Sequence, residues 1–424
     1  MGGVALVADD LTGAMDTAQG FAARGYRTAV VAVPGTRAGA AADRGGTGVL
    51  GVNTDTRSAA ADAAARRVRT AVTSVGAEMV YKKVDSTLRG NVAVEVDAAL
   101  SAAGAAVGLF APAFPAVGRT TREGVHYVDG TPVAETAYGD DPAGPRSSRV
   151  ADRFGAVDRP VETVPAAVVE QGADRVAAAV EEAIAGAGRP PVVVCDASTE
   201  SDLAAVADAG RAFDALYAGS GGLAAYVGVP GAAGDGPRSL DGPLGAPLGV
   251  VGSTNETTLA QLGRVPDEDL VVLDPERLLA GTAPGDAAGV GERLRAGRPV
   301  VVTAAADRET VDRTLAAGRD RGLSADEVRA RVATGLAETA AAAVRAAPVS
   351  GVVLSGGDVA VEELRALDAT TVELTGTEVE TGLPVGAVAD GSSVGTPVVT
   401  KAGGFGSPAA IVNCLEALGR DENR

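Results

Sequence analysis

The sequence predicts an α/β protein of two domains, each with a mainly parallel sheet flanked by helices. Three observations predict it. The chain has 424 residues, and at roughly 100–200 residues per domain this length suits two. Short apolar runs alternate with Ala-rich helical stretches, the pattern of parallel strands joined by covering helices. A Gly- and Pro-dense segment at 231–248 separates two such series.

The first series reads as strands at 4–7, 28–33, 49–52, 79–84, 107–110 and 192–195, each a short Val-rich run bounded by turn residues. Helical stretches are expected at 12–24, 59–75, 92–103 and 173–185. Residues 125–128 and 131–133, around Asp129-Gly130, read as a hairpin, and the Pro-, Gly- and charge-rich region 136–160 as an irregular loop. The second series predicts strands at 249–252, 270–273, 300–303, 351–354 and 397–400, with helices at 256–263, 325–347, 359–366 and 408–417. The expected organisation is a domain over 1–230, a linker over 231–248 and a second domain over 249–424.

Composition excludes several functions. One His cannot build a multi-histidine metal site, and two Cys cannot form a four-thiolate cluster. A net charge of −18 argues against binding nucleic acid or anionic lipid, and a 3% aromatic fraction leaves few rings for stacking bases. The apolar run at 4–8 is too short for a signal peptide, and the uncharged stretch 98–118 contains Pro112 and Pro115, which suits a helix end, a strand and a loop better than a membrane span. Cys195 and Cys414 are expected as free thiols in a cytoplasmic protein. Of 37 basic residues only Lys82, Lys83 and Lys401 are lysines.

Ligands of parallel α/β sheets sit beyond the carboxyl ends of the strands, so polar residues just after strands are the candidates. The first strand runs into Asp9-Asp10-Leu11-Thr12-Gly13. Such paired carboxylates can bind Mg²⁺, accept a hydroxyl proton or hydrogen-bond a polyol, or one can cap the following helix. Asn53-Thr54-Asp55-Thr56-Arg57 follows another strand, and Arg57 could pair with a carboxylate or phosphate. The densest polar cluster is Tyr81-Lys82-Lys83-Val84-Asp85-Ser86-Thr87-Leu88-Arg89-Gly90-Asn91. Alternation sends Lys83 and Asp85 to one side of the sheet and Lys82 to the other. Asp85 beside a cation suits a general base or a ligand clamp, with Ser86, Thr87 and Arg89 as further contacts. His126 reads as a hairpin side chain without catalytic duty.

No Gly-Lys pair occurs, which removes a Walker A loop. Gly219-Ser220-Gly221-Gly222-Leu223-Ala224 resembles a dinucleotide fingerprint only weakly. The Gly-x-Ser-x-Gly pattern at 391–395 has no His after it and is rejected as a nucleophile elbow. Three other segments read as strand, small-residue turn, helix: Gly252-Ser253-Thr254-Asn255, Ser355-Gly356-Gly357-Asp358 and Lys401-Ala402-Gly403-Gly404-Phe405-Gly406. Each presents backbone N–H groups to phosphate, and together they favour a nucleotide site.

The segments at 8–14, 82–91, 118–120, 219–223, 355–358 and 401–406 together resemble the four-carbon acid sugar kinases, in order and across nearly the whole chain. The resemblance implies an N-terminal sugar-acid domain and a C-terminal nucleotide domain. It also implies transfer of phosphate from ATP to the terminal hydroxyl of acids such as D-threonate, D-erythronate or 3-oxo-tetronate. By motif, Asp10, Arg57, Lys82, Lys83, Val84 and Asp85 look like sugar-acid contacts, and Ser253, Gly356, Gly357, Asp358, Val359 and Gly403 like ATP contacts. The Lys-Lys-Val-Asp-Ser form resembles the threonate and erythronate kinases more than the oxo-tetronate branch, while 136–149 matches only loosely.

The expected activity is therefore an ATP- and Mg²⁺-dependent kinase of a four-carbon sugar acid. Arg57 and Lys83 hold the carboxylate, Asp85 or Asp10 accepts the hydroxyl proton, and Lys401 offsets developing phosphate charge in an otherwise locally basic pocket. The rivals are a non-catalytic sensor of nucleotide and sugar acid, and an aldolase or lyase forming a Schiff base on Lys83. A homodimer is compatible with the sequence.

Overall fold

The structure is a computed structural model that describes residues 3–36, 38, 48–231, 236, 243–281 and 286–419. The chain divides into two compact units, Met1–Gly236 and Pro237–Arg424. Most of the segment read as a linker lies outside the described residues. Its last residues do not belong to a linker: β12 below begins at Ala246, because the apolar run continues upstream of Gly249.

In the first unit, β1 (Val4–Ala8), β2 (Thr28–Val31), β3 (Val49–Asn53), β4 (Met79–Lys83), β5 (Val107–Ala111), β9 (Val161–Val164), β10 (Val192–Cys195) and β11 (Ala215–Gly219) form a parallel sheet in the order β2-β3-β1-β4-β11-β5-β10-β9. A small antiparallel sheet holds β6 (Arg119–Arg122), β7 (Val125–Val128) and β8 (Thr131–Pro132). The β7–β8 turn is the expected hairpin, with Asp129 (φ 49°) and Gly130 (φ 81°) both left-handed. The predicted strands end within two residues of those observed. β9, β11 and the helix Glu200–Gly210 escaped sequence reading. β9 is a short sheet edge with Glu162 and Thr163 exposed, and β11 ends in the Gly-rich run that reads as a turn. The expected loop at 136–160 carries a short helix, Ala137–Asp140, and a 3-10 turn, Ala151–Ala156.

The second unit contains β12 (Ala246–Val251), β13 (Leu270–Val272), β14 (Val300–Thr303), β15 (Val349–Ser355), β16 (Thr371–Glu378), β17 (Pro384–Val388) and β18 (Pro397–Lys401), in the order β13-β14-β12-β15-β18-β17-β16. The first five in this order run parallel, and β17 is antiparallel to both β18 and β16. The β16–β17 pair lacks the crossover helix that sequence reading relies on, and it was missed.

Both sheets are buried on two faces, which is why their strands are runs of Val, Ala and Leu rather than alternating sequences. In the first unit, Val7, Val52, Phe110 and Val194 pack with Val68 and Val96 of the helices Ala61–Val75 and Val92–Ala103. In the second, Val251, Val353 and Val399 pack with Ile411 and Cys414 of the helix Ala410–Gly419. Among the described residues no helix is long and apolar enough to cross a membrane.

Candidate functional site

Register assembles the first site. Ala8 of β1 stands beside Asn53 of β3 and Lys83 of β4, and Lys83 beside Gly219 of β11. The carboxyl ends of these parallel strands therefore lie level, and the polar segments that follow them converge. Asp10 caps the helix Leu11–Ala23: its carboxylate accepts from Gly13 N at 2.9 Å and from the Thr12 hydroxyl at 2.7 Å. Asp9 turns inward and accepts Arg57 Nε at 2.7 Å and Nη2 at 3.2 Å. Both readings of the Asp pair are thus realised, one residue each: a cap, and a buried partner of a cation.

Arg57 is a hub. Besides Asp9 it lies 3.0 Å from Asp10 and 3.6 Å from Asp85. Gly90 (φ 85°) permits this, since a Cβ there would meet the Arg57 backbone at about 3.2 Å. Asp85 accepts Arg89 Nε at 2.8 Å and Nη2 at 3.0 Å, together with the Thr87 hydroxyl. The turn that folds Arg89 back is tight: Leu88 is buried at φ 62°, a costly backbone for a non-glycine residue. Burial opposes ionisation of Asp85, yet Arg57 and Arg89 outweigh it and hold the carboxyl far below the usual range. For Asp9 the same contest between burial and the charges of Arg57, Lys82 and Lys83 also ends in a lowered pKa.

This arrangement bears on several expectations. The arginines that hold Asp85 keep its proton affinity low, which disfavours it as a general base. Arg57 spends Nε and Nη2 on carboxylates, and its side chain stays 24% exposed. Thr87 and Arg89 bind Asp85 instead of forming an open anion contact. Asp9, Asp10, Asp16 and Asp85 face Arg57, Arg89 and Lys83, so the site is not locally basic.

The adjacent lysines diverge as strand alternation requires. Lys82 is fully buried on the opposite face, 2.8 Å from Glu95 of the helix Val92–Ala103, and it donates to the Lys83 carbonyl at 2.6 Å. It is not a ligand contact: its charge is neutralised inside the core, and it fixes the backbone of Lys83. Val84 is likewise packed, with its N–H bonded to Gly219 O, so its side chain offers no sugar contact. Lys83 points to the helix Leu11–Ala23, where a Cβ on Gly13 would stand 3.0 Å from its Nζ. Its ammonium has no hydrogen bond or ion pair among the described residues, although the residue is only 6% exposed.

Asp16, which sequence reading passed over, belongs to this cluster. It lies three residues beyond Gly13 on the same helix and so shares its face. A Cβ on Gly221 would stand 3.3 Å from its Oδ2. The available signal was the helical i, i+3 spacing from Gly13. His126 is buried under the site, with Nε2 2.8 Å from Ser86 O and Nδ1 2.9 Å from the Thr121 hydroxyl.

The second unit repeats the logic. Val251 of β12, Ser355 of β15 and Lys401 of β18 are register partners, which sets the three glycine-containing turns side by side. They are stitched together: Gly252 N and Ser253 N donate to Ser355 O, and Gly356 N donates to Lys401 O. Gly356 (φ 108°) needs glycine, and a Cβ on Gly403 would stand 2.5 Å from Ser253 Oγ. Gly357 opens the helix Gly357–Ala366, and a Cβ there would meet no atom within 4 Å, so its surroundings are open. Asp358 is exposed at this helix start, while Val359 is buried against Gly252.

Lys401 does not reach outward. It is fully buried, and Nζ donates to Thr258 Oγ1 and Ala402 O at 3.1 Å and to Gly403 O at 3.3 Å. Burial lowers its pKa to about 8. The expected phosphate contact is therefore a clamp on the turn. Gln261, also unforeseen, secures the same turn by donating to the carbonyls of Phe405, Gly406 and Ser407. Among the described residues no group of three or more His, Cys, Asp or Glu side chains could hold a metal ion.

The family model of a sugar-binding N-terminal domain matches residues 4–227, and that of a nucleotide-binding C-terminal domain matches 248–411. A D-threonate kinase of Bordetella bronchiseptica is 36% identical over 99% of this chain and 98% of its own. A 3-oxo-tetronate kinase of Methylobacterium radiotolerans is 33% identical over 74% of each chain. The solved Haemophilus influenzae protein HI1011 shares the fold, with a TM-score of 0.77 at 20% identity over 98% of this chain and all of its own. With both of its units matched and a full-length relative at this identity, the chain belongs to the four-carbon acid sugar kinase family.

Proposed function

We propose that the protein is an ATP-dependent kinase that phosphorylates the terminal hydroxyl of a four-carbon sugar acid, D-threonate first among them. The observation that carries this is Lys83: a nearly buried lysine whose ammonium has no partner among the described residues, at the level carboxyl ends of adjacent parallel strands. Such a cation is suited to a small carboxylate. The name of the Bordetella relative supports D-threonate among the acids.

Residues 1–230 would take the sugar acid and 249–424 the nucleotide. Lys83 holds the carboxylate. Arg57, with Asp9, Asp10 and Asp85, forms a rigid polar wall whose remaining lone pairs accept from hydroxyls. In the second unit the N–H groups of the first turn at Gly357 and Val359, which have no acceptor within the helix, face phosphate, beside the turn at Ser253 and Gly403. Asp9, Asp10 and Asp85 of the first site are held by arginines, and no group of described carboxylates offers a ready-made Mg²⁺ cage. Mg²⁺ therefore suits this chain as an ion carried in on the phosphates with its waters, where it would neutralise their charge. Phosphoryl transfer is catalysed mainly by positioning and electrostatics, which a site poor in nucleophiles provides. The two cysteines are free and buried, in keeping with a reducing cytoplasm.

The test is ADP release with D-threonate, D-erythronate and 3-oxo-tetronate, comparing wild type with Lys83→Met. D-threonate should be turned over best, and the variant should raise KM for the acid at least about tenfold, the cost of one lost charged contact. ATP-independent trapping of a carbonyl compound on Lys83 by borohydride would instead establish the Schiff-base reading.

A further inference from the structure

We infer that Asp16 is the proton acceptor of the sugar-acid hydroxyl, a catalytic residue; the inference rests on the kinase reading above. Among the described residues, Asp9, Asp10, Asp16 and Asp85 gather around Arg57 and Lys83, and the first two and the last are occupied. Asp9 grips Arg57, Asp10 caps a helix and touches Arg57, and Asp85 is held by Arg89, Arg57 and Thr87. Asp16 alone of the four has no hydrogen bond or ion pair among the described residues.

Its surroundings fit the role. Asp16 sits one helical turn beyond Gly13, against which Lys83 Nζ lies, and its charge interacts with those of Lys83 and Asp10. It nevertheless stays outside ion-pair distance of Lys83. A four-carbon acid held by its carboxylate on Lys83 can thus lay its far hydroxyl against Asp16. A Cβ on Gly221 would come within 3.3 Å of Asp16 and 3.2 Å of Phe114, so glycine keeps this space clear.

Proton affinity points the same way. Burial raises the Asp16 pKa, Lys83 opposing and Asp10 reinforcing the shift, whereas Asp9 and Asp85 are lowered. A carboxylate moved towards neutral pH is the better general base.

In the step, the terminal hydroxyl oxygen forms a bond to the γ-phosphorus of ATP. The bond from that phosphorus to the β–γ bridging oxygen breaks, ADP leaves, and the hydroxyl proton passes to Asp16 and then to solvent.

The experiment measures kcat, KM and their pH dependence for wild type, Asp16→Asn and Asp16→Glu in the full chain, with the acid that wild type turns over. Sugar-acid affinity is measured separately by calorimetry. Asp16→Asn should lower kcat about 100-fold or more and abolish the acidic limb of the kcat profile, with affinity for the acid kept within a few-fold. Asp16→Glu, which retains a carboxylate, should recover part of kcat and the limb, and it decides the matter if the Asn variant does not fold. A kcat for Asp16→Asn near that of wild type, or a change confined to KM, overturns the inference while leaving the kinase reading intact. Absence of turnover by wild type on every acid overturns the kinase reading and this inference with it.

Discussion

Three lysines of identical chemistry have three fates here, decided by what each side chain meets. Lys82 is neutralised by Glu95 in the core, Lys401 is consumed by Thr258 and two carbonyls of its own turn, and among the described residues only Lys83 keeps its donors. Alternation along β4 made the split between Lys82 and Lys83 legible in the sequence. Glu95 and Thr258 were not legible as partners, since each comes from another element. His126 shows how a residue can support a site without acting in it. Ser86 O can only accept, so Nε2 carries the proton, and Nδ1 is left to accept from the Thr121 hydroxyl. Burial lowers its pKa from 6.5 to about 4. The unfolded imidazole thus binds a proton that the folded one refuses between those values. Its contribution is complete above about pH 6.5 and lost as pH falls through about 4, an effect on the order of 3 kcal/mol. Urea denaturation across this window should show wild type losing more stability than His126→Asn. Equal losses would contradict the assignment.

At the scale of elements, strand–turn–helix units were the most legible part of the fold, because fully buried strands are short Val-rich runs and their helices are long. The turns themselves were legible as glycines but not as contacts. Gly403 illustrates the difference: its conservative replacement has nowhere to go, with Ser253 Oγ at 2.5 Å and Asn255 Cβ at 2.9 Å from the added carbon. Gly403→Ala should therefore displace Ser253 and weaken binding of an ATP analogue by about tenfold, roughly 1.4 kcal/mol, while circular dichroism reports an unchanged fold. Unaltered affinity would remove this turn from the nucleotide site. Among the strands missed, β9 lies at a sheet edge, β11 ends in a Gly-rich run and the β16–β17 pair is antiparallel.

At the scale of the whole molecule, a net charge of −18 coexists with sites balanced almost charge for charge. The excess acid is elsewhere on the chain. It predicts that the protein passes a heparin column at about 50 mM salt, whereas salt-dependent retention would reveal a basic face that the composition hides. The sequence by itself determined the α/β class, the strand ends that carry function, and the family, because periodicity and short motifs are local properties of a chain. Only the tertiary structure decided which charged groups are already spent on one another and which remain for a ligand. That choice depends on register between strands and on helices packed across them, so that Arg57 meets Asp9, Lys82 meets Glu95, and Asp16 and Lys83 are left unpartnered among the described residues.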